Sequence, residues 1–199
     1  MFGINRKEIE PFTPSQVRVL LEAVKGNRLE ALYSVALAVG LRQGEALGLR
    51  WEDVDFETGL IHARYELQRL EGKFHLVELK SRRSHRTLVM PPYIAVKLRE
   101  HGARQREEHL LLGPEWHDNH LVFKSHTGLP LDGKNVTRSF QRLLKRAGLP
   151  KRRFDDLRHS CATLLLAQGV PARVVMEILG HPQIGLTMKT YTPVLPELG

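Results

Sequence analysis

The chain has 199 residues, 42% hydrophobic and 26% charged, enough to bury a sizeable core without disulfides or metal. Its 30 Lys and Arg against 22 Asp and Glu leave +8 with His neutral, which favours a polyanionic partner, nucleic acid first. One cysteine, Cys161, excludes a disulfide framework and a thiolate zinc site, and no run nears the roughly 18 apolar residues of a spanning helix.

Met1 to Pro11 reads as a lead-in without a secretory apolar core, which fits a reducing cytoplasm. Thr13, Pro14 and Gln16 supply an N-cap, an N1 proline and a capping-box partner. Val17, Leu20, Leu21 and Val24 continue at helical spacing. A second helix is predicted over Leu29 to Val39, stopped by Gly40, and a short third over Gln43 to Arg50. Asp55 to Gly59 then reads as a turn before a strand over Leu60 to Gln68. Glu71-Gly72-Lys73 is a hairpin turn, Phe74 to Leu79 the return strand, and Thr87 to Met90 a third strand after a basic loop, Lys80 to Arg86. Further helices are predicted over Tyr93 to Leu110, Asn135 to Ala147, Asp156 to Gln168, Ala172 to Leu179 and near Ile184 to Lys189, with a short apolar run at Leu121 to Phe123. Helices, a three-stranded antiparallel meander, then helices define an α+β fold, mostly helical. Residues 1–11 read as lead-in, 12–195 as one domain and 196–199 as tail.

Two basic clusters carry the charge. Lys134, Arg138, Arg142, Lys145, Arg146, Lys151, Arg152 and Arg153 include no acid among them, and Arg138 and Arg142 lie one helical turn apart. Such a face is either solvated or a contact surface for duplex phosphates. Lys80, Arg82, Arg83, His85 and Arg86 crowd the predicted loop between strands, as an ordinary charged turn or a groove contact. Asp155 or Asp156 can cap the helix that bears Arg158 and His159. Gly180 reads as a helix C-cap ahead of His181, ten residues before Tyr191. His117 and His120 lack a third ligand at metal-site spacing.

Taken in order, Gly40-Leu41-Arg42-Gln43-Gly44-Glu45-Ala46-Leu47 with Leu49-Arg50-Trp51, Lys80-Ser81, Asp156-Leu157-Arg158-His159, Leu179-Gly180-His181-Pro182 and Tyr191-Thr192 resemble the tyrosine recombinase (phage integrase) family. The resemblance runs from about Phe12 to Leu195 and is to the catalytic domain. The family's separate N-terminal core-binding domain has no counterpart ahead of it, so a monomer that binds duplex DNA weakly and salt-sensitively is expected.

The resemblance implies Tyr191 as a nucleophile that forms a 3′-phosphotyrosyl bond with DNA and frees a 5′-hydroxyl, without metal or cofactor. Arg42 and Arg158 match the arginines that stabilise charge on the phosphorane, and Lys80 the hairpin lysine that protonates the leaving oxygen. His181 matches the ligand of a non-bridging oxygen, and Glu45 is placed to orient Arg42. His159 matches a structural position. Arg82, Arg83, Lys134, Arg138 and Arg142 are the expected DNA contacts. Asp155 stands where the family has His, and is expected to put a buried negative charge near the phosphate, pairing with Arg42 or Arg158 or taking the tyrosyl proton. The implied function is site-specific recombination with duplex DNA and other protomers as partners. The alternatives are an impaired DNA-binding relative and strand cleavage of the type IB topoisomerase kind.

Overall fold

The computed structural model describes residues 10–80 and 85–180. Seven helices occur among them: α1 (Pro14–Val24), α2 (Glu30–Val39), α3 (Gln43–Leu47), α4 (Pro92–Leu112), α5 (Gly133–Arg146), α6 (Asp156–Ala167) and α7 (Ala172–Leu179). Five short strands are β1 (Val54–Asp55), β2 (Leu60–Ala63), β3 (Tyr65–Leu70), β4 (Lys73–Glu78) and β5 (Arg86–Val89). The α+β reading holds, and each predicted helix within the described residues is present. The helix expected over Ile184 to Lys189 lies outside them.

Local chemistry explains the boundaries. Thr13 Oγ1 accepts the Gln16 N–H at 3.3 Å while Gln16 Oε1 accepts the Thr13 N–H at 3.0 Å, which completes the capping box of α1. Gly40 ends α2 with φ +71°, a conformation that costs glycine least. The Asp132 carboxylate accepts the Lys134 N–H at 2.7 Å and starts α5 two residues ahead of the predicted position.

The sheet differs from the expected meander. The single strand predicted over Leu60 to Gln68 breaks at Arg64 into β2 and β3, which belong to different sheets. In one sheet β2 pairs antiparallel with β1 and β5, with Ile61 opposite Val54 and Leu88. In the other, β3 and β4 form a hairpin closed by Glu71 and Gly72, both at positive φ. Asp55, expected to open a turn, instead joins Val54 in the edge strand of the three-stranded sheet.

α2 is the central helix, with eight of its ten residues buried. Phe12, Tyr33, Phe140 and Phe154 stack around one side of it, with ring centroids 5.2 to 6.4 Å apart. Phe123, Ile61, Ile94 and Leu98 extend the same core toward the sheet. The Phe12 N–H donates to Ser160 Oγ at 2.8 Å, which ties the start of the described chain to α6.

The hairpin is seated on α3 through glycine. A Cβ at Gly48 would lie 2.8 Å from the Leu67 nitrogen and 2.9 Å from the Glu66 Cα, so only hydrogen lets β3 approach this closely. The β3–β4 hairpin is thereby held against α3.

Candidate active site

The site is built on the turn between α2 and α3. Arg42 occupies the N-cap position of α3 with extended backbone, φ −67° and ψ 157°. Its backbone N–H donates to Glu45 Oε2 at 2.9 Å and its Nη1 to Glu45 Oε1 at 2.8 Å. The Arg42 side chain is 44% exposed, whereas Glu45 is fully covered.

Glu45 is the hub. Arg86 Nη2 and Nη1 donate to its two oxygens at 2.7 and 3.1 Å. Burial pushes the Glu45 carboxyl up, but the Arg86 hydrogen bonds and charge, the Arg42 N–H and the Arg158 charge together hold it down at about 2. Removing one partner of such a buried pair strands the other charge, at a cost of about 3–5 kcal/mol.

Arg158, buried on α6, lies under the same turn. Its Nη1 donates to the Gly40 carbonyl at 2.8 Å and its Nη2 to the Leu179 carbonyl at the end of α7. Those two bonds fix the guanidinium plane between α2 and α7. A Cβ on Gly40 would meet Leu179 Cδ2 at 3.0 Å and Cys161 Sγ at 3.4 Å. Gly40 therefore serves both its left-handed backbone and the close approach of α7.

Asp155 is exposed at the N-cap position of α6, and its Oδ1 accepts the Gln43 N–H at 3.1 Å. This corrects the expected buried charge. No ion pair joins Asp155 to Arg42 or Arg158 among the described residues. Asp155 also gives α6 no side-chain cap, since its carboxylate is turned to α3. Asp156 is turned away likewise, accepting the Arg153 N–H at 2.6 Å.

Lys80 is exposed immediately beyond β4, where the Leu79 N–H donates to the Arg64 carbonyl at 2.9 Å. His181 and Tyr191 lie outside the described residues, as do Arg82 and Arg83. The structure brings Arg42, Asp155 and Arg158 to one turn, with Lys80 on the hairpin packed against the same helix.

The basic face of α5 is present: Lys134, Arg138 and Arg142 are all exposed, and none forms an ion pair among the described residues. Gln43 joins that helix to the site, its Nε2 donating to the Gly133 carbonyl at 3.2 Å and to Thr137 Oγ1 at 3.0 Å. A groove of about 520 Å³ runs between α3, the hairpin and the start of α5, lined by Gln43, Leu67, Arg69 and Lys134.

Sequence reasoning missed two residues. Gln43 had no role, yet it links Arg42's helix to α5 and Asp155. Arg86 was taken into a basic loop, but it is the first residue of β5 and 7% exposed. The alternation of Leu88 and Met90, carried back one step, places Arg86 on the inward face.

Two guanidiniums, Arg42 and Arg86, hold the Glu45 carboxylate, and the charge of Arg158 lies near enough to help keep it ionised, with Arg42 at the surface. The sequence profile of the phage integrase family matches residues 10–197. The chain belongs to that family. It is 37% identical over 96% of its length to a tyrosine recombinase XerC-like protein of Caldanaerobacter subterraneus, covering 52% of that protein. It is 33% identical to an integrase of Streptomyces ambofaciens, over 90% of this chain and 48% of the other. The chain thus spans about half the length of these curated relatives. Its fold is similar to that of the Tn1549 transposon integrase solved with transposon right end DNA, with TM-score 0.82, 22% identity, and coverage of 96% of this chain and 64% of that one. The XerA recombinase matches with TM-score 0.75 and 25% identity, over 95% and 62% of the two chains.

Proposed function

We propose that this chain cleaves and rejoins duplex DNA for site-specific recombination. Tyr191 Oη gives up its phenolic proton to solvent and attacks a phosphorus, the bond to the 5′-oxygen breaks, and a 3′-phosphotyrosyl ester forms. Lys80 gives the departing 5′-oxygen its proton, and that hydroxyl, or one from another duplex, reverses the step. The ester keeps the energy of the broken bond, so the reaction runs without metal or cofactor.

Arg42 and Arg158 stabilise the phosphorane, and His181 holds a non-bridging oxygen. The observation that carries this reading is that Arg42 and Arg86 share the buried Glu45 carboxylate with Arg158 close by, three guanidiniums against the carboxylates of Glu45 and Asp155. Preorganised charge aimed at a developing anion is the largest single contribution in reactions of this kind. A phenol with a pKa of about 10 also needs such cationic company to attack.

The partners are duplex DNA, met by Arg82, Arg83, Lys134, Arg138 and Arg142, and further protomers on that DNA. The place of action is the cytoplasm of a bacterial cell or phage-infected host. No described helix is long and apolar enough to cross a membrane.

A nicked suicide duplex tests the reading by covalent capture. The unaltered chain is expected to form a denaturant-resistant DNA adduct, and Tyr191→Phe to form none while binding duplex nearly as well. An adduct that survives in Tyr191→Phe would remove Tyr191 from the nucleophile role.

A further inference from the structure

Arg86 opens β5, after the connection that begins at Leu79-Lys80. Among the described residues its guanidinium reaches two elements. Nη1 and Nη2 hold both oxygens of Glu45, and Nε donates to the Ile178 carbonyl in the last turn of α7 at 2.8 Å. Glu45 in turn holds the backbone and guanidinium of Arg42. One side chain therefore joins the strand after Lys80, the carboxylate that aims Arg42, and the helix end just before Gly180-His181.

We propose that Arg86 is a positioning residue for strand cleavage, fixing the Arg42 guanidinium through Glu45 and holding the end of α7 to the same carboxylate. The proposal rests on Arg42 being a phosphate ligand. With a side chain only 4% exposed, Arg86 lies beneath the site and acts through the groups it holds. A lysine here keeps the charge but loses the span, because one nitrogen cannot hold both carboxylate oxygens and a carbonyl on the far side.

The test is single-turnover covalent capture on a nicked duplex at saturating DNA. Arg86→Lys is expected to slow capture about 10-fold or more, since small misplacements of a catalytic group are costly. Duplex affinity is expected to stay within about 3-fold, because affinity comes mainly from exposed phosphate contacts. Glu45→Gln, which breaks the same link from the other side, is expected to slow capture to a similar degree. In an Arg42→Lys background the effect of Arg86→Lys should shrink below about 2-fold, the mark of residues that act as one unit. A substrate with sulfur at the 5′-bridging position needs no proton donor, so it should leave the defect in place.

Full-rate capture by Arg86→Lys, undiminished slowing in the Arg42→Lys background, or rescue by the sulfur substrate overturns the proposal. Loss of helical circular dichroism in both Arg86→Lys and Glu45→Gln also overturns it, since the pair would then serve the fold alone. Failure of the unaltered chain to form any adduct is a separate result, which sinks the reading of the whole site and this proposal with it.

Discussion

Asp155 and Gln43 show how one hydrogen bond can decide what a carboxylate does beside the proposed phosphate site. The exposed Asp155 spends one oxygen on the Gln43 N–H, at the first residue of the helix that Arg42 caps. It steadies that helix, but a carboxylate cannot donate to a phosphate oxygen and would repel one at the proposed site. Asp155→His is expected to raise covalent capture by about 10-fold or more, the scale of one donor gained in an oxyanion-type site. Equal or slower capture, with circular dichroism unchanged, would mean that holding Gln43 matters more than the missing donor. Arg42, Lys80 and Arg158 could be singled out in the sequence because each sits in a distinctive box. Arg86 could not be, since its neighbours are basic and its partner Glu45 lies 41 positions away. The one local signal is the alternation of Leu88 and Met90, which reaches Arg86 only if the strand is begun there.

Among the elements, the β3–β4 hairpin sets the place of Lys80, and Gly48 sets the place of the hairpin. Gly48→Ala drives a methyl group into the backbone of Glu66 and Leu67, which has no rotamer to yield. The expected cost is about 1–3 kcal/mol of stability, typical of overpacking, read as a lower midpoint of thermal unfolding. Covalent capture should slow as well, because the hairpin must lift away from α3. Helices were legible because their caps are local: Thr13 with Gln16, and Gly40. The split at Arg64 was not. Ile61, Ala63, Tyr65 and Leu67 alternate straight through it, and periodicity cannot see a chain pass from one sheet to another. Only the pairing partners, Leu88 for Ile61 and Leu76 for Leu67, reveal the change.

Across the whole molecule, charge and acid stability follow from different residues. The face of Arg138 and Arg142 is remote in sequence from Arg42 and is joined to it through Gln43. Replacing both with Ala is expected to lower the salt slope of duplex binding by about 2, at roughly 0.9 for each phosphate that is no longer neutralised. Capture at saturating DNA should stay near the unaltered rate, and a matching fall there would move these residues into the chemistry. The largest downward shifts are those of His101 and Glu45, with His159 lowered by burial as well. Burial pushes the His101 imidazole down to about 4, against the upward pull of its bond to the Val122 carbonyl, with the charges of Arg104, Arg28 and Lys124 adding to the fall. A folded pKa below the unfolded value means stability that is complete above about 6.5 and is lost as pH falls toward 4. Glu45, held at about 2, adds a second loss from about 4.5 downward. Denaturant midpoints measured from pH 7 to 3 should therefore fall in two stages, and His101→Asn should flatten the first while leaving the second. The buried thiol beside Gly40 has a practical consequence. Burial pushes Cys161 up to about 12, with Arg158 pulling the other way, and its Sγ is turned to the Ala38 carbonyl. At neutral pH it offers almost no thiolate to a maleimide. A fluorophore or spin label can be attached through a new surface cysteine on the β3–β4 hairpin while Cys161 stays in place, so that the hairpin can be followed by spectroscopy without a second labelled thiol.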